Sequence, residues 1–343
     1  MIEKKFGYGI IGCGTISKWH AEAAAATGKY DLIAVTDVRK ESAERFAEQF
    51  HCMAVDSPEE LLKRDDIEII SICTPSGFHA TDAIKVANAG KHIIIEKPMA
   101  ITYEQIDDIL KACKDHNVKM QVISQMRFKE NVLKAKEAID SGKLGKLVIG
   151  DVSMKYFRSQ EYYDAGGWRG TWKLDGGGAL MNQGIHGIDT LQYLMGPVKS
   201  VFAHAKTLAR NIEVEDTAVA VVEFANGAIG TITGTTSVYP GIPRKFEING
   251  TKGSITLVED TITLWDIEGE TEKIKEGDQE RKLDSASNPT NFGIEGHIMQ
   301  LDDMAEALIH NRDPKVNQYE GKKPIEIILA IYESEKTGKK VLL

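Results

Sequence analysis

The chain has 343 residues, 42% hydrophobic and 27% charged, with a formal net charge of −9 at neutral pH. It is too long for one ordinary core and too apolar for a disordered chain, so two folded domains are expected. The acidic balance argues against a protein that grips nucleic acid through a basic face, and no apolar run approaches the ~18 residues of a membrane span.

From residue 6 to 124, short β-rich runs alternate with amphipathic stretches. FGYGIIGCG reads as a strand, TISKWHAEAAAA as a helix, DLIAVTD as a strand and KESAERFAEQF as a helix. DSPEELLKR makes a short helix, EIISICTP a strand and HATDAIKVANAG a helix. HIIIEKP is a strand, TYEQIDDILKACKDHN a helix and KMQVISQ a strand. Alternation at this spacing predicts parallel strands with right-handed crossovers, an α/β Rossmann domain over 1–124. Runs such as IISIC, apolar at consecutive positions, suit strands covered on both faces.

Beyond residue 125 the pattern changes. FKENVLKAKEAIDSG is a helix closed by Gly142. Long strand-like segments follow: KLVIGDVSMKYF, VKSVFAHAKTL, TAVAVVEFA, AIGTITGTTSV, RKFEING, SITLVED and TITLWDI. Hairpin turns are expected at Asn226-Gly227 and Glu259-Asp260. The segment 125–343 is therefore expected to be an α+β domain around a large, open, mostly antiparallel sheet. One helix near 178–194 interrupts the strands and two near 295–310 and 323–336 close the chain. The polar segment 268–290 reads as a surface excursion. An apolar sheet face left open invites a homodimer or homotetramer.

Cys13, Cys52, Cys73 and Cys113 stand far apart with no CxxC pair. That argues against zinc sites and disulfides and for a reducing, cytoplasmic setting; no metal is expected. Cys13 and Cys73, in apolar runs, read as small buried hydrophobes. The apolar stretch after Lys4 and Lys5 is too short for a secretory leader and is interrupted by Lys18, His20 and Glu22, so the start reads as mature sequence.

Gly12-x-Gly14-x-x-Ser17 closes the first strand and opens the first helix. The first glycine makes the tight turn; the second brings backbone N–H groups, including those of Thr15 and Ile16, to a pyrophosphate. Asp37 ends the next strand, where a carboxylate accepts hydrogen bonds from ribose hydroxyls and repels a 2′-phosphate. NAD is therefore expected, with Arg39 leaving room for NADP. Thr74, Pro75 and His79 lie in the loop after the strand IISIC, beside the dinucleotide; His79 reads as a helix-start or pocket-wall residue. Glu96-Lys97-Pro98 ends the next strand. Proline cannot extend that strand, and the turn directs Lys97 out of the sheet's carboxyl end, toward the nicotinamide.

The GCGTISKWH run, the EKP triplet and G-G-G-x-L-x-N-x-G-x-H-x-x-D at 176–189 together resemble the Gfo/Idh/MocA family of NAD(P)-dependent oxidoreductases. The resemblance extends to the closing AIYESEKTGKKVLL. It implies that Lys97 is the active-site lysine and His186 the active-site histidine. Asp189 also matches the pattern, and at i+3 it is placed to orient the imidazole. Members often carry an aspartate four residues before the histidine; here Asn182 stands there instead. The chemistry agrees, since hydride transfer from a secondary alcohol needs the hydroxyl proton removed, which histidine or lysine can do. Which of the two is the formal base stays open.

Tyr162-Tyr163 and Trp168-Arg169-Gly170-Thr171-Trp172 suit a sugar, with rings on its C–H faces and arginine on hydroxyls or a carboxylate. Arg127, Tyr163, Trp168, Arg169, Asn182 and Asp189 are the candidate substrate residues, with His297 a further one. The string YY…WRGTW…GGG…NQ…H resembles members that oxidise sugar-nucleotide uronic acids at the 3-position. The expected reaction moves a hydride between nicotinamide and a secondary hydroxyl or keto carbon of a sugar, sugar derivative or cyclitol. Two alternatives stand beside it: a non-catalytic NAD(P)-binding sensor on this scaffold, and a dehydrogenase for a non-sugar substrate. Retention of both Lys97 and His186 favours an enzyme.

Overall fold

The computed structural model describes residues 5–271, 273–274 and 293–343. Its tertiary contacts divide the chain into two compact units, Met1–Gln125 with Gly293–Lys322, and Met126–Phe292 with Lys323–Leu343.

In the first unit the apolar runs become strands β1 (Phe6–Ile11), β2 (Tyr30–Thr36), β3 (Met53–Ala54), β4 (Ile69–Ile72), β5 (His92–Ile95) and β6 (Met120–Val122). They form one six-stranded sheet in the order β3-β2-β1-β4-β5-β6, every pair parallel. Helices α1 (Thr15–Thr27), α2 (Lys40–Phe50), α3 (Pro58–Leu62), α4 (Ser76–Asn88) and α5 (Tyr103–Asp115) are the crossovers. Ser57 starts α3 by accepting the Glu60 amide, with Pro58 in the first turn, where its missing N–H is no loss. β1 and β4 are buried along their whole length, as covered strands require. The strand order reverses between β1 and β4, which opens a crevice at the carboxyl ends.

A contiguous second domain from residue 125 was expected, and the structure departs from it. The helix Glu295–Ile309 groups with the first unit. Its Leu301, Met304 and Ala305 join an apolar cluster with Ala21, Ala24 and Tyr30, and the Tyr30 hydroxyl donates to the Leu301 carbonyl. An amphipathic pattern announces a buried face but does not say against which partner.

The second unit begins with α6 (Glu130–Asp140), β7 (Leu147–Phe157) and α7 (Gln160–Asp164). A π-helical turn, Ala179–Gly184, then runs into α8 (Ile185–Met195). The strands β8 (Val198–Lys206), β9 (Thr217–Phe224), β10 (Ile229–Thr235), β11 (Ser237–Gly250), β12 (Gly253–Val258), β13 (Thr261–Ile267) and β14 (Val341–Leu342) follow, and the helix Gln318–Thr337 precedes the last of them. The eight-stranded sheet has the order β13-β12-β11-β7-β10-β9-β8-β14, antiparallel except for β10 against β7. The expected turns are present: Gly227 and Glu259 both take positive φ, at 86° and 54°. Along β9, Ala218, Ala220, Val222 and Phe224 point inward while Val219 and Val221 stay exposed, as do Phe202 on β8 and Ile229 on β10.

The stretch 178–194 is thus not one α-helix, because its first residues are wound more widely. Of the polar excursion expected at 268–290, the part from 275 onward lies outside the described residues. Among the described residues, no helix is long and apolar enough to cross a membrane.

Candidate active site

In the first unit the turn between β1 and α1 is built for close approach. Gly12 has φ +93°, and a Cβ there would lie 2.8 Å from the Cys73 carbonyl, so only glycine fits. Gly14 caps α1 with no side-chain acceptor, and nothing stands within 4 Å of where its Cβ would be. The first-turn amides, those of Thr15 and Ile16 among them, are donors that a helix start offers to an anion. Asp37 follows β2 and fastens the same turn. Its Oδ2 accepts the Cys13 amide at 2.8 Å and its Oδ1 the Arg39 amide at 2.8 Å. A carboxylate has further lone pairs, which suits ribose hydroxyls. Arg39 is largely exposed, with its Nε 3.8 Å from Asp37. These features fit a dinucleotide.

Thr74 and Pro75 lead from β4 into α4. His79 is buried there, Nε2 2.7 Å from the Thr74 carbonyl and Nδ1 2.7 Å from the Pro98 carbonyl. It therefore ties the β4–α4 loop to the Lys97-Pro98 turn, whose peptide bond is cis. Burial pushes the His79 pKa down, against the pull of the two carbonyls. Lys97 itself is half-buried just past β5.

Glu96 is buried beside it. Its Oε1 lies 3.0 Å from His20 Nε2 and 3.7 Å from His297 Nε2, and its Oε2 accepts the Lys97 amide at 3.2 Å. His20 Nδ1 is 2.9 Å from the Ser71 hydroxyl, which also bonds Tyr8. His297 packs edge-on to Trp19 and His20. Burial alone would raise the Glu96 carboxyl; the two imidazoles hold it well below the usual carboxylate range. Burial pushes His20 down. In sequence the three stand apart, His20 closing GCGTISKWH, Glu96 opening the EKP triplet and His297 far beyond, with nothing there to pair them.

In the second unit Arg127 and Asp189 meet each other. Arg127 donates to Asp189 from Nε at 2.9 Å and Nη2 at 2.6 Å, and both are buried. The bidentate pair takes one lone pair on each Asp189 oxygen and fixes the carboxylate on α8. Asn182, in the π-helical turn, donates to Asp175 Oδ1 at 2.7 Å, and Asp175 Oδ2 accepts the Gly170 amide at 2.9 Å. Asp175, which sequence reasoning passed over, thus ties the WRGTW loop to the turn ahead of His186. His186 is half-buried in the first turn of α8.

Tyr163 is buried with its hydroxyl 2.7 Å from Thr236 Oγ1. The Arg169 guanidinium lies over the Tyr162 and Trp168 rings, at 4.5 and 5.2 Å from their centroids. Arg158 lies over Tyr156 and Tyr162, and Arg210 over Phe157. Among the described residues neither Arg169 nor Arg210 has an ion-pair partner, and the Nε atom of each is buried without an acceptor.

An oxidoreductase model described as an NAD-binding Rossmann fold matches residues 6–124, and the GFO/IDH/MocA C-terminal domain matches 132–256. The WlbA dehydrogenase from Bordetella pertussis, solved with NADH and UDP-GlcNAcA, is 33% identical over 99% of each chain, with a TM-score of 0.89. The chain belongs to the Gfo/Idh/MocA family. Levoglucosan dehydrogenase of Pseudarthrobacter phenanthrenivorans is 30% identical, covering 73% of this chain and 72% of its own. Myo-inositol 2-dehydrogenase of Thermotoga maritima is 28% identical over 76% and 79%. Membership makes the first unit an NAD-binding domain and the protein an oxidoreductase, in agreement with the glycine turn and Asp37.

Proposed function

We propose that this Gfo/Idh/MocA protein is an NAD-dependent dehydrogenase acting on a secondary hydroxyl of an anionic sugar, with Lys97 and His186 handling the hydroxyl proton. NAD, held by the amides after Gly12 and Gly14 and by Asp37, supplies the hydride acceptor. The observation that carries the reading is Lys97, at the carboxyl end of the parallel sheet that also bears this glycine turn. Its backbone is fixed from two sides, by Glu96 at its amide and by His79 at the next carbonyl. An amine carried on the Lys97-Pro98 turn can hold the substrate oxygen, while an imidazole exchanges its proton; together they set the alcohol for hydride loss.

The choice of an anionic sugar rests on Arg169 and Arg210. Among the described residues these two guanidiniums lie over aromatic rings without a carboxylate partner, an electrostatic cost that a phosphate or carboxylate would relieve. The UDP-GlcNAcA bound by the Bordetella relative carries such groups. Arg127 and Asp189 are given a supporting role behind α8, and Asn182 and Trp168 a place beside the sugar. The exposed apolar face bearing Phe202, Val219, Val221 and Ile229 is proposed as the surface through which copies of the chain pair.

The test is a panel of UDP-glucuronic acid, UDP-GlcNAcA, myo-inositol and levoglucosan with NAD, followed at 340 nm. A rate at least roughly tenfold higher on the nucleotide sugars is expected, because an ion pair to a desolvated anion outweighs neutral contacts. Equal rates on neutral sugars would remove the anionic preference. No rate on any of them would overturn the reading of an anionic-sugar dehydrogenase.

A further inference from the structure

We propose that Glu215, partnered by Tyr332, is the positioning residue of the helix that carries Asn182 and His186. Its effect on turnover rests on the dehydrogenase reading above; its effect on the helix does not.

The observations lie at the head of the π-helical turn. Glu215 Oε2 accepts the Gly178 amide at 2.9 Å and Oε1 the Leu180 amide at 2.9 Å. The backbone carbonyl of the same residue accepts the Ala179 amide between them at 2.9 Å. One residue therefore takes three successive N–H groups that the start of a helix leaves without intrahelical partners. Tyr332 adds a donor, its hydroxyl 3.0 Å from Oε1, and its ring packs edge-on to Trp172. The triple glycine admits this grip: a Cβ on Gly178 would lie 1.7 Å from the Glu215 carbonyl oxygen, and one on Gly177 2.2 Å from the Tyr332 hydroxyl. The head of the helix is thus drawn onto the segment entering β9, and His186 follows only two residues beyond the turn.

The form of the carboxyl decides the grip. As a carboxylate, each oxygen accepts through charge-assisted bonds; once protonated, the carboxyl can donate to the Tyr332 hydroxyl and accepts the two amides only as a neutral, weaker partner. The tyrosine hydroxyls of Tyr332 and Tyr163 face it, and neither is a cation. Burial accordingly pushes the Glu215 carboxyl up to about 7, against the lowering by its three donors. The helix head is held firmly above neutrality and loosens below it.

The test compares wild type, Glu215→Gln and Tyr332→Phe, by hydrogen exchange of the peptides spanning 176–190 and by kcat at saturating NAD from pH 5.5 to 9. Glu215→Gln should raise exchange at the helix head and lower kcat by roughly tenfold or more each, as loss of a charged acceptor implies, with the KM for NAD unchanged. Tyr332→Phe keeps both amide bonds and removes a donor that lowers the carboxyl pKa. The rise of protection and of kcat with pH should therefore move to higher pH in that variant. Unchanged exchange in Glu215→Gln would overturn the proposal, and so would raised exchange with unchanged kcat. If wild type oxidises no sugar, the dehydrogenase reading falls, and the exchange measurement still decides whether Glu215 holds the helix.

Discussion

Each unit buries a glutamate that fastens backbone in the segment leading to a residue proposed for proton transfer, and the two glutamates reach opposite states. Glu96 sits against two imidazoles and stays ionised well below the usual carboxylate range. Glu215 receives more hydrogen bonds, from two amides and a tyrosine, yet its carboxyl rises to about 7. Desolvation is the largest influence on both. The difference lies in the kind of partner: an imidazole can take up positive charge as the carboxylate forms, whereas amide and phenol donors only solvate it. Number of hydrogen bonds is therefore a poor guide to the charge of a buried acid, and the two units should fail at opposite ends of the pH scale.

The largest expected effect is on the first glutamate. Glu96→Ala leaves the His20 imidazole and the Lys97 amide without their acceptor and His297 without the neighbouring charge, which should cost about 3–5 kcal/mol at pH 7 by urea unfolding. The sign with pH follows from a depressed folded pKa: the stabilisation is present above the ordinary value of 4.5 and is lost as pH falls through the depressed one. The gap between wild type and variant should shrink on acidification. A gap that widened in acid would place the charge elsewhere in the cluster.

Glu215 should show the reverse. Its folded pKa is raised, so its contribution is fully present below 4.5 and is lost as pH rises through about 7. The loss across that window is about 3 kcal/mol, each pKa unit being worth about 1.4 kcal/mol. Wild type should lose stability between pH 5 and 8 while Glu215→Gln does not. The ionised form that grips the helix is then the one the fold finds more costly, a strain kept for alignment. Parallel unfolding curves for both proteins over this range would erase the contrast between the two glutamates.

Two variants ask whether what the first glutamate fastens matters to the reaction. Lys97→Ala should lower kcat by about 10²-fold or more, as removal of a proton-transfer group does, with NADH binding retained. A variant with near-normal turnover would show that Glu96 and His79 fix a backbone of no catalytic consequence. Asp37→Ala should weaken NAD and relax discrimination against NADP by roughly tenfold, since a charged acceptor for the ribose is lost. Fluorescence titration reads both, and a wild type that binds NADP(H) more tightly would reverse the cofactor preference.

Most strands and crossovers were legible because consecutive apolar residues can only be covered strands, and because hairpin and helix-start residues sit where geometry requires them. The two-residue β3 left no periodicity to read. Where the helix Glu295–Ile309 docks was illegible, since its apolar stripe fits any core. Lys97 and His186 stood out through motifs, and Glu96 was noticed only as a neighbour of the cofactor. Its pairing with His20 and His297 joins segments 76 residues apart and more, which no local pattern encodes. Asp175, Glu215 and Tyr332 carry no motif of their own. The triple glycine was the one visible sign of them: it reads as backbone lying close to ligand or cofactor, and the groups found against Gly177 and Gly178 are Tyr332 and Glu215.

The smallest effect is expected at Asn182, where an amide faces a carboxylate in place of the second carboxylate often found at this position in the resemblance drawn from the sequence. Asn182→Asp would set two carboxyls at the 2.7 Å separation now spanned by Nδ2 and Asp175 Oδ1. Both cannot ionise cheaply at that distance, so one keeps its proton and donates the bond while the pH is low. Raising the pH strips that proton and turns the contact repulsive. The variant's kcat/KM should match wild type within a factor of about three near pH 6 and fall by about fivefold toward pH 8.5, a loss on the order of 1 kcal/mol. The double variant Asp175→Asn with Asn182→Asp rebuilds one amide against one carboxylate with the roles exchanged, and should recover most of that loss. If instead Asn182 serves only to bind a sugar hydroxyl, the single variant raises the sugar KM equally at every pH, and the exchange of roles with Asp175 recovers nothing.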